Sequence, residues 1–588
     1  MTYNSAKPEL LAKMKSVLSQ VRIKNWDDIT SVITTLKDST EEIIHASDSS
    51  FLDNIKKGIA FITFDYGIDG VSIEIEKYAN CLERLFKDEN DDTVPLHFIG
   101  GDFYDKADVV LKPYWRRYNI PDMNGWSKWS NGEWFSKLFY EDMPEGSQVS
   151  DDMAEEIWKQ ALNFANLLGE YLVKNNISLL IPVNICTNPG NPAITLAVVM
   201  VTEALGINVI SSNHDYYWEG GKANRKPGEE AGPRDHFFKN INNKPFFSLL
   251  KTLFPWNGKR WLQVNINEPQ SGALINKFGF DKKQVFELGS CISNEFLREY
   301  AFPEVLSARR RMTYILSDGA PVITTVPVKE HLASLSNWMK NQKPVVCSNN
   351  SISELDPMGK GTLYCLQPTR VVGRKRIYKD LKLLTALLKH DKMKNAFKSG
   401  RAEQLIFHIT GPVPIEHQKD LEDVLNAYAE MCNNLPVDVA NRVFIVFSVG
   451  TEDHPSLDEN GLFKLCIEDI YKLADIILFP SETEGRGLPI IESGACGIPI
   501  VCSRYYPGEV FDGVVGKGLP EDEQIKYILF PEEDEYSDDL LNEVADIFLK
   551  PNARSIYSKH NKIAVEKRYG IEMLVKKFGS FMDILKNL

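Results

Sequence analysis

The stretch Ala474–Gly508, ADIILFPSETEGRGLPIIESGACGIPIVCSRYYPG, decides the fold. Its apolar run Ile476-Ile477-Leu478-Phe479 reads as a buried parallel strand. Pro480 and Ser481 end the strand, and Glu482 to Gly487 is a polar, glycine-containing turn. A helix is predicted from Leu488-Pro489, since proline is tolerated in a first turn, and Gly497 suits a left-handed C-terminal cap. Pro499-Ile500-Val501-Cys502 follows as a second strand. Strand, glycine turn, helix and strand make a βαβ unit, which binds ligands at the carboxyl ends of its strands.

The chemistry lies in the turn. Gly485 and Gly487 let backbone N–H groups approach a ligand with no side chain in the way. The unbonded N–H groups of the first helical turn, at Gly487-Leu488, carry the positive end of the helix dipole and form an anion site. Glu484 and Glu492 stand on either side of it, with Glu492 about one turn inside the helix and leaning back towards the same site. Phosphate repels a carboxylate, so the favourable partner for Glu492 is a pair of sugar hydroxyls. A nucleotide diphosphate with Glu492 on its ribose satisfies both demands.

E-G-x-G-L-P-x-x-E followed by A-C-G-x-P-I-V resembles the nucleotide-binding signature of retaining glycosyltransferases of the GT-B fold, in the family-four group with sucrose and sucrose-phosphate synthases. That resemblance implies an α/β chain of two Rossmann-like domains facing each other across a cleft. It departs from the pattern at Arg486, where an aromatic residue often stands between the two glycines, so contacts to donor or acceptor differ there.

At 588 residues the chain is too long for one core. Its 43% hydrophobic and 25% charged residues are those of an ordinary soluble protein, and the net charge of −14 argues against nucleic acid as a partner. No apolar run reaches membrane-spanning length, and the N-terminus lacks a signal-peptide core. Nine cysteines without a C-x-x-C pair read as reduced core residues, so a cytoplasmic protein is expected.

Residues 1–55 read as a helical extension, with Leu10, Leu11, Met14, Val17 and Leu18, then Ile29, Val32, Ile33 and Leu36, at helical spacing. They are expected to pack on the main body or on a second subunit. The N-terminal, acceptor-side domain is expected over 56–300, opening with the strand Ile59 to Phe64 and the turn Gly67-Ile68-Asp69-Gly70. By resemblance, Gly67 and Gly70 face the transferred sugar. Residues 113–140 are rich in tryptophan (Trp115, Trp126, Trp129, Trp134) and read either as a packed loop or interface, or as a sugar-binding wall. The strand Asn208 to Ser212 leads into His214-Asp215-Tyr216-Tyr217-Trp218. A histidine at a strand's carboxyl end is placed for chemistry, and the resemblance puts His214 on the donor sugar. Residues 220–260 read as a mobile loop.

The C-terminal, donor-side domain is expected over 301–565, with a helix over 566–588 crossing back to the first domain. Strands within Pro321–Val326 and Pro344–Cys347, with a helix between them, belong to an enlarged interdomain region that starts the second domain. After the strand ending near Gln367 come four cations, Arg370, Arg374, Lys375 and Arg376, ahead of the periodic helix Ile377, Leu381, Leu384, Leu388. Arg370 and Lys375 match the R-x4-K pair that holds the donor diphosphate in the resembled family, while Arg374 and Arg376 read as supporting or solvated. His408 reads as a packed strand residue, and the acidic run 531–539 as solvated surface.

The expected enzyme is a metal-independent hexosyltransferase that needs no cofactor. It takes a UDP-, GDP- or ADP-hexose to a carbohydrate or other hydroxyl acceptor, and homo-oligomerisation stays open. Arg370, Lys375, His214 and Glu484 are the catalytic candidates; Gly67, Gly70, Gly485, Arg486, Gly487, Leu488 and Glu492 are the donor-binding ones. A sugar phosphorylase of the same fold and a non-catalytic nucleotide-sugar sensor are the alternatives. A Rossmann dehydrogenase is disfavoured because GIDGVS supplies no G-x-G-x-x-G.

Overall fold

A computed structural model describes the chain from Tyr3 to Leu588 except residues 22–25, 46–50, 68, 88–92, 106, 126–132, 144–146, 189, 220–235, 237–251, 318–319, 324–327, 340–343, 352–354, 412–417, 451 and 453. Most of the expected loop over 220–260, and Trp126 and Trp129, thus lie outside the described residues. Two compact units emerge, one of Met1–Cys291 with Leu574–Leu588, the other Ile292–Met573. The first boundary falls before the expected residue 301, and the return to the first unit falls after the expected residue 566.

The first unit carries β1 (Ile59–Ile62), β2 (Asp65–Tyr66), β3 (Leu96–Gly100), β4 (Asp102–Phe103), β5 (Arg116–Asn119), β6 (Leu179–Pro182), β7 (Asn208–Asn213), β8 (Trp261–Asn265) and β9 (Val285–Glu287). Seven form one parallel sheet in the order β5-β3-β1-β6-β7-β8-β9, and β2 and β4 pair separately. Counted along the chain, the sheet reads 3-2-1-4-5-6-7, so its direction of winding reverses between β1 and β6.

Why this sheet is buried is visible in the helices that cover it. The helix Pro192–Leu205 is strongly apolar and buried at every position, Thr195, Thr202 and Glu203 included, so it has no face to offer water. It packs against the helix Gln148–Lys174 and against the N-terminal helices Tyr3–Gln20 and Trp26–His45. Leu10, Met14, Leu18, Ile29, Val32, Ile33 and Leu36 all enter this core. The described helices of this extension therefore pack into the first unit's own core. Lys7 is buried with them, its Nζ donating to Ile177 O at 2.5 Å and Ser178 Oγ at 2.7 Å.

The second unit carries β10 (Ala320–Ile323), β11 (Val345–Ser348), β12 (Thr362–Gln367), β13 (Gln404–Thr410), β14 (Val443–Ser448), β15 (Ile476–Phe479), β16 (Ile500–Cys502) and β17 (Ile528–Leu529). Their order is β10-β11-β14-β13-β12-β15-β16-β17. The run from β14 to β17 is parallel and reads 3-2-1-4-5-6 along the chain, the Rossmann order. β10 and β11 are parallel to each other but β11 runs antiparallel to β14. The enlarged region is thus an extra strand–helix–strand unit on the edge of the second unit's sheet, its helix Val328–Met339. Such an edge strand capping an otherwise parallel sheet leaves the switch point untouched.

Two apolar layers sandwich the second sheet. One includes Leu381, Leu384 and Leu388 of the helix Tyr378–Lys389 together with Leu421 and Val424. The other includes Ile490, Ile491, Val510 and Phe511. The acidic run 531–539 is solvated as expected, every one of its acidic residues exposed, though it is tied back at two points. Asp534 accepts from Lys382 Nζ at 2.6 Å, and the buried Lys379 donates to Glu532 O. All nine cysteines are free, eight of them buried, and burial pushes the thiols of Cys186, Cys347 and Cys502 far above their usual range.

Candidate active site

In the second unit the strand order reverses between β12 and β15, and the two turns that follow those strands meet there. β12 ends at Gln367, and Arg370 follows, exposed, its guanidinium without a hydrogen-bond or ion-pair partner among the described residues. The 3-10 turn Gly373–Lys375 comes next and ends on Arg376, whose φ of 49° is left-handed. Arg376 Nε donates to Pro480 O at 3.0 Å, and Arg374 Nη1 to Thr483 O at 2.6 Å. The N–H of Glu482 returns a 2.8 Å bond to Arg374 O. The two arginines read as supporting thus stitch the turn after β12 to the turn after β15.

That stitching places Lys375 against Glu484. Nζ and Oε1 form an ion pair with only about 9% of each side chain exposed, beside the ring of Phe479 at 5.7 Å. Burial pulls the Lys375 ammonium below its usual range; the Glu484 carboxylate opposes this, and the nearby Arg374 and Arg370 charges add to the fall. Glu484 itself is anchored through its backbone, its N–H donating to Tyr506 O at 3.0 Å.

The helix predicted from Leu488 spans Leu488–Cys496 and closes on Gly497 at φ 70°. Its N-cap Gly487 is also left-handed, φ 65°, and a Cβ there would lie 2.2 Å from Tyr505 Oη. Only glycine fits. No described residue accepts from the N–H groups of Gly487 and Leu488, and Pro489 has none to offer. The positive helix end therefore opens beside Lys375, Glu484 and Arg370. Two hydroxyls behind this turn, Ser481 Oγ and Tyr505 Oη, are buried without a partner among the described residues. Glu492 projects from the first turns of the helix, half-buried, and its Oε2 accepts from Tyr471 Oη at 2.6 Å. Sequence reasoning missed Tyr471, because its place in the helix Ile467–Leu473, 21 positions before Glu492, carries no spacing signal.

His214, Gly67 and Gly70 belong to the first unit. His214 follows β7, half-buried, with Nε2 3.4 Å from Ser212 Oγ, and its carbonyl accepts from Gln270 Nε2 at 3.0 Å. Behind it lies a buried polar web. Asn213 Nδ2 donates to Gln263 Oε1 at 2.9 Å and to Asn265 Oδ1 at 3.0 Å, while Tyr216 Oη donates to the same Asn265 oxygen at 2.5 Å. Fully satisfied, such a web fixes the backbone on which His214 sits. Asp69 caps the helix Gly70–Phe86, accepting from Val71 N and Ser72 N. The Gly67 N–H is already taken, donating to Ser72 Oγ at 3.1 Å. Gly67 therefore offers no backbone donor to a ligand in this conformation; Gly70 is exposed, with open space where a Cβ would stand.

Trp115 is buried, stacked on Phe98 at 4.7 Å, and donates from Nε1 to Glu83 Oε1 at 2.7 Å, so it is a core residue and not part of a sugar-binding wall. His408 is packed as expected, bonded to Tyr364 Oη and to Ser448 Oγ, and burial pulls it down to about 3. Among the described residues no group of three or more His, Cys, Asp or Glu is placed to hold a metal ion, and no helix is long and apolar enough to cross a membrane.

Residues 465–519, which contain this turn and helix, match the family described as "Glycosyl transferases group 1". Along 444 residues the chain is 23% identical to mannosylglucosylglycerate synthase of Petrotoga mobilis, covering 74% of this chain and 80% of that one. It is 28% identical over 165 residues to alpha-monoglucosyldiacylglycerol synthase of Acholeplasma laidlawii, a match covering 25% of this chain and 39% of the other. Among solved structures it resembles HepE of Anabaena in complex with UDP and glucose, with a TM-score of 0.48 and 8% identity over 90% of this chain and 99% of that one.

Proposed function

We propose that this chain, a glycosyltransferase by its group 1 domain, transfers a hexosyl unit from a nucleotide-diphosphate sugar to a hydroxyl acceptor, with retention and without a metal. One observation carries the reading. At the switch point of a Rossmann-ordered sheet, an arginine unpartnered among the described residues, a buried lysine and an open helix N-terminus converge beside two carboxylates.

Each group then has a part. The diphosphate takes the N–H groups at Gly487-Leu488 and the planar fork of Arg370, with Lys375 as a compact charge beside them. These are fixed dipoles and charges aimed where negative charge grows as the bond from the anomeric carbon to the diphosphate breaks. The acceptor oxygen forms the new bond to that carbon, and its proton passes to the departing phosphate oxygen. Glu484, oriented by Lys375, holds the hexose hydroxyls. Glu492 accepts from the ribose. Protein cations do the work a divalent ion would otherwise do.

A thermal-shift screen with UDP-, GDP- and ADP-hexoses tests the reading, since a ligand that binds only the native state raises its melting temperature. A rise with one base, together with release of that nucleoside diphosphate when a hydroxyl acceptor is added, supports it. No shift and no nucleotide release with any of the three donors refutes it.

A further inference from the structure

We infer that Tyr471 is a positioning residue for nucleotide recognition, holding Glu492 in the orientation in which it accepts from the ribose. The inference rests on the ribose role of Glu492. Tyr471 is fully buried on the helix Ile467–Leu473, packed edge-on against Phe296 at 5.4 Å, and its hydroxyl donates to Glu492 Oε2 at 2.6 Å. A bond that short to a carboxylate is charge-assisted and directional. The ring cannot swing away without leaving the apolar layer that includes Ile490 and Ile491.

The arrangement has a second half. Glu468 stands one turn before Tyr471; its carboxyl is raised chiefly by burial and further by the Glu492 charge. Glu468 thus repels Glu492 while Tyr471 holds it. Without the hydroxyl, the carboxylate keeps its charge but loses the short bond that Tyr471 makes to Oε2. A carboxylate held in this place suits a vicinal diol, a ligand that brings donors without charge.

Tyr471→Phe tests this on the full chain, beside Glu492→Gln and the double variant. Measured with the donor that the wild type uses, Y471F should raise KM roughly 10-fold, the cost of about 1.4 kcal/mol, and leave kcat within about two-fold. The double variant should be no worse than E492Q, because both changes remove one interaction. The wild type should prefer the ribonucleotide donor to its 2′-deoxy form, and Y471F should lose most of that preference. If E492Q leaves KM unchanged, the ribose reading itself fails and the inference with it. If E492Q raises KM but Y471F leaves KM and the 2′-deoxy preference untouched, or lowers kcat in step with the folded fraction, the inference alone is overturned.

Discussion

Arg370 and Lys375 look alike in sequence, but their surroundings predict different mutants. Arg370 is exposed and spends nothing on the fold, so Arg370→Ala should keep the wild-type melting temperature while losing on the order of 100-fold in turnover, the usual cost of one fixed charge at a transition state. Lys375→Ala should lose turnover too, but it leaves the buried Glu484 carboxylate with only the longer, half-exposed Arg374 contact at 3.5 Å. Breaking a buried pair from one side costs about 3–5 kcal/mol, so a lowered unfolding midpoint should accompany that loss. Lys375→Ala/Glu484→Ala should recover part of the stability and none of the turnover. Denaturant unfolding and donor-release kinetics on the three variants separate the two roles. Equal stability of the two single variants would contradict the burial argument.

At the scale of elements, the helix Leu488–Cys496 depends on the left-handed Gly487 and on the tyrosine packed against it. Gly487→Ala places a Cβ in a conformation costing about 1–2 kcal/mol and drives it into Tyr505 Oη. It should lower both stability and donor affinity. Tyr505→Phe removes the atom that is struck, so adding it to Gly487→Ala should restore part of the lost midpoint in thermal unfolding.

The N-terminal helix makes a separate prediction through Lys7. Burial, with a smaller contribution from Lys57, pulls its ammonium down to about 7 against an ordinary value of 10.5. The unfolded chain then binds that proton more tightly than the folded one, so stability should rise as pH climbs from about 7 towards 10.5. The slope from this one group cannot exceed about 1.4 kcal/mol per pH unit. Lys7→Met should flatten that rise, as read from the difference in melting temperature between the two proteins across pH 7 to 9.5. Parallel curves would mean that Lys7 does not titrate with folding.

For the whole molecule, the expectation concerns metal. If Arg370, Lys375 and the helix end carry the leaving diphosphate, EDTA should leave turnover close to that of the untreated protein, and added magnesium or manganese should change it little. Strict dependence on either ion, with activity lost on chelation and restored on readdition, would move the leaving-group role from these cations to a carboxylate-held metal.

The sequence by itself determined the elements that chain-local physics controls. The apolar run Ile476–Phe479, the proline in the first turn after Gly487 and the glycine cap at 497 each encode a conformation within a few residues, and the strand and helix stand where those signals put them. The periodic leucines after Arg376 likewise placed a buried helix face. Tertiary structure decided what depended on partners distant in sequence. Lys375 became half of a buried pair only because β12 and β15 are neighbours, 109 positions apart in the pair they bring together. Arg374 and Arg376 became stitches between two turns for the same reason, and Tyr471 became the partner of Glu492. Gly67 spent its N–H on Ser72, an acceptor that a glycine pattern does not reveal. The antiparallel edge formed by β11 against β14 was equally invisible, since an apolar run states that a strand is buried and not which way its neighbour runs.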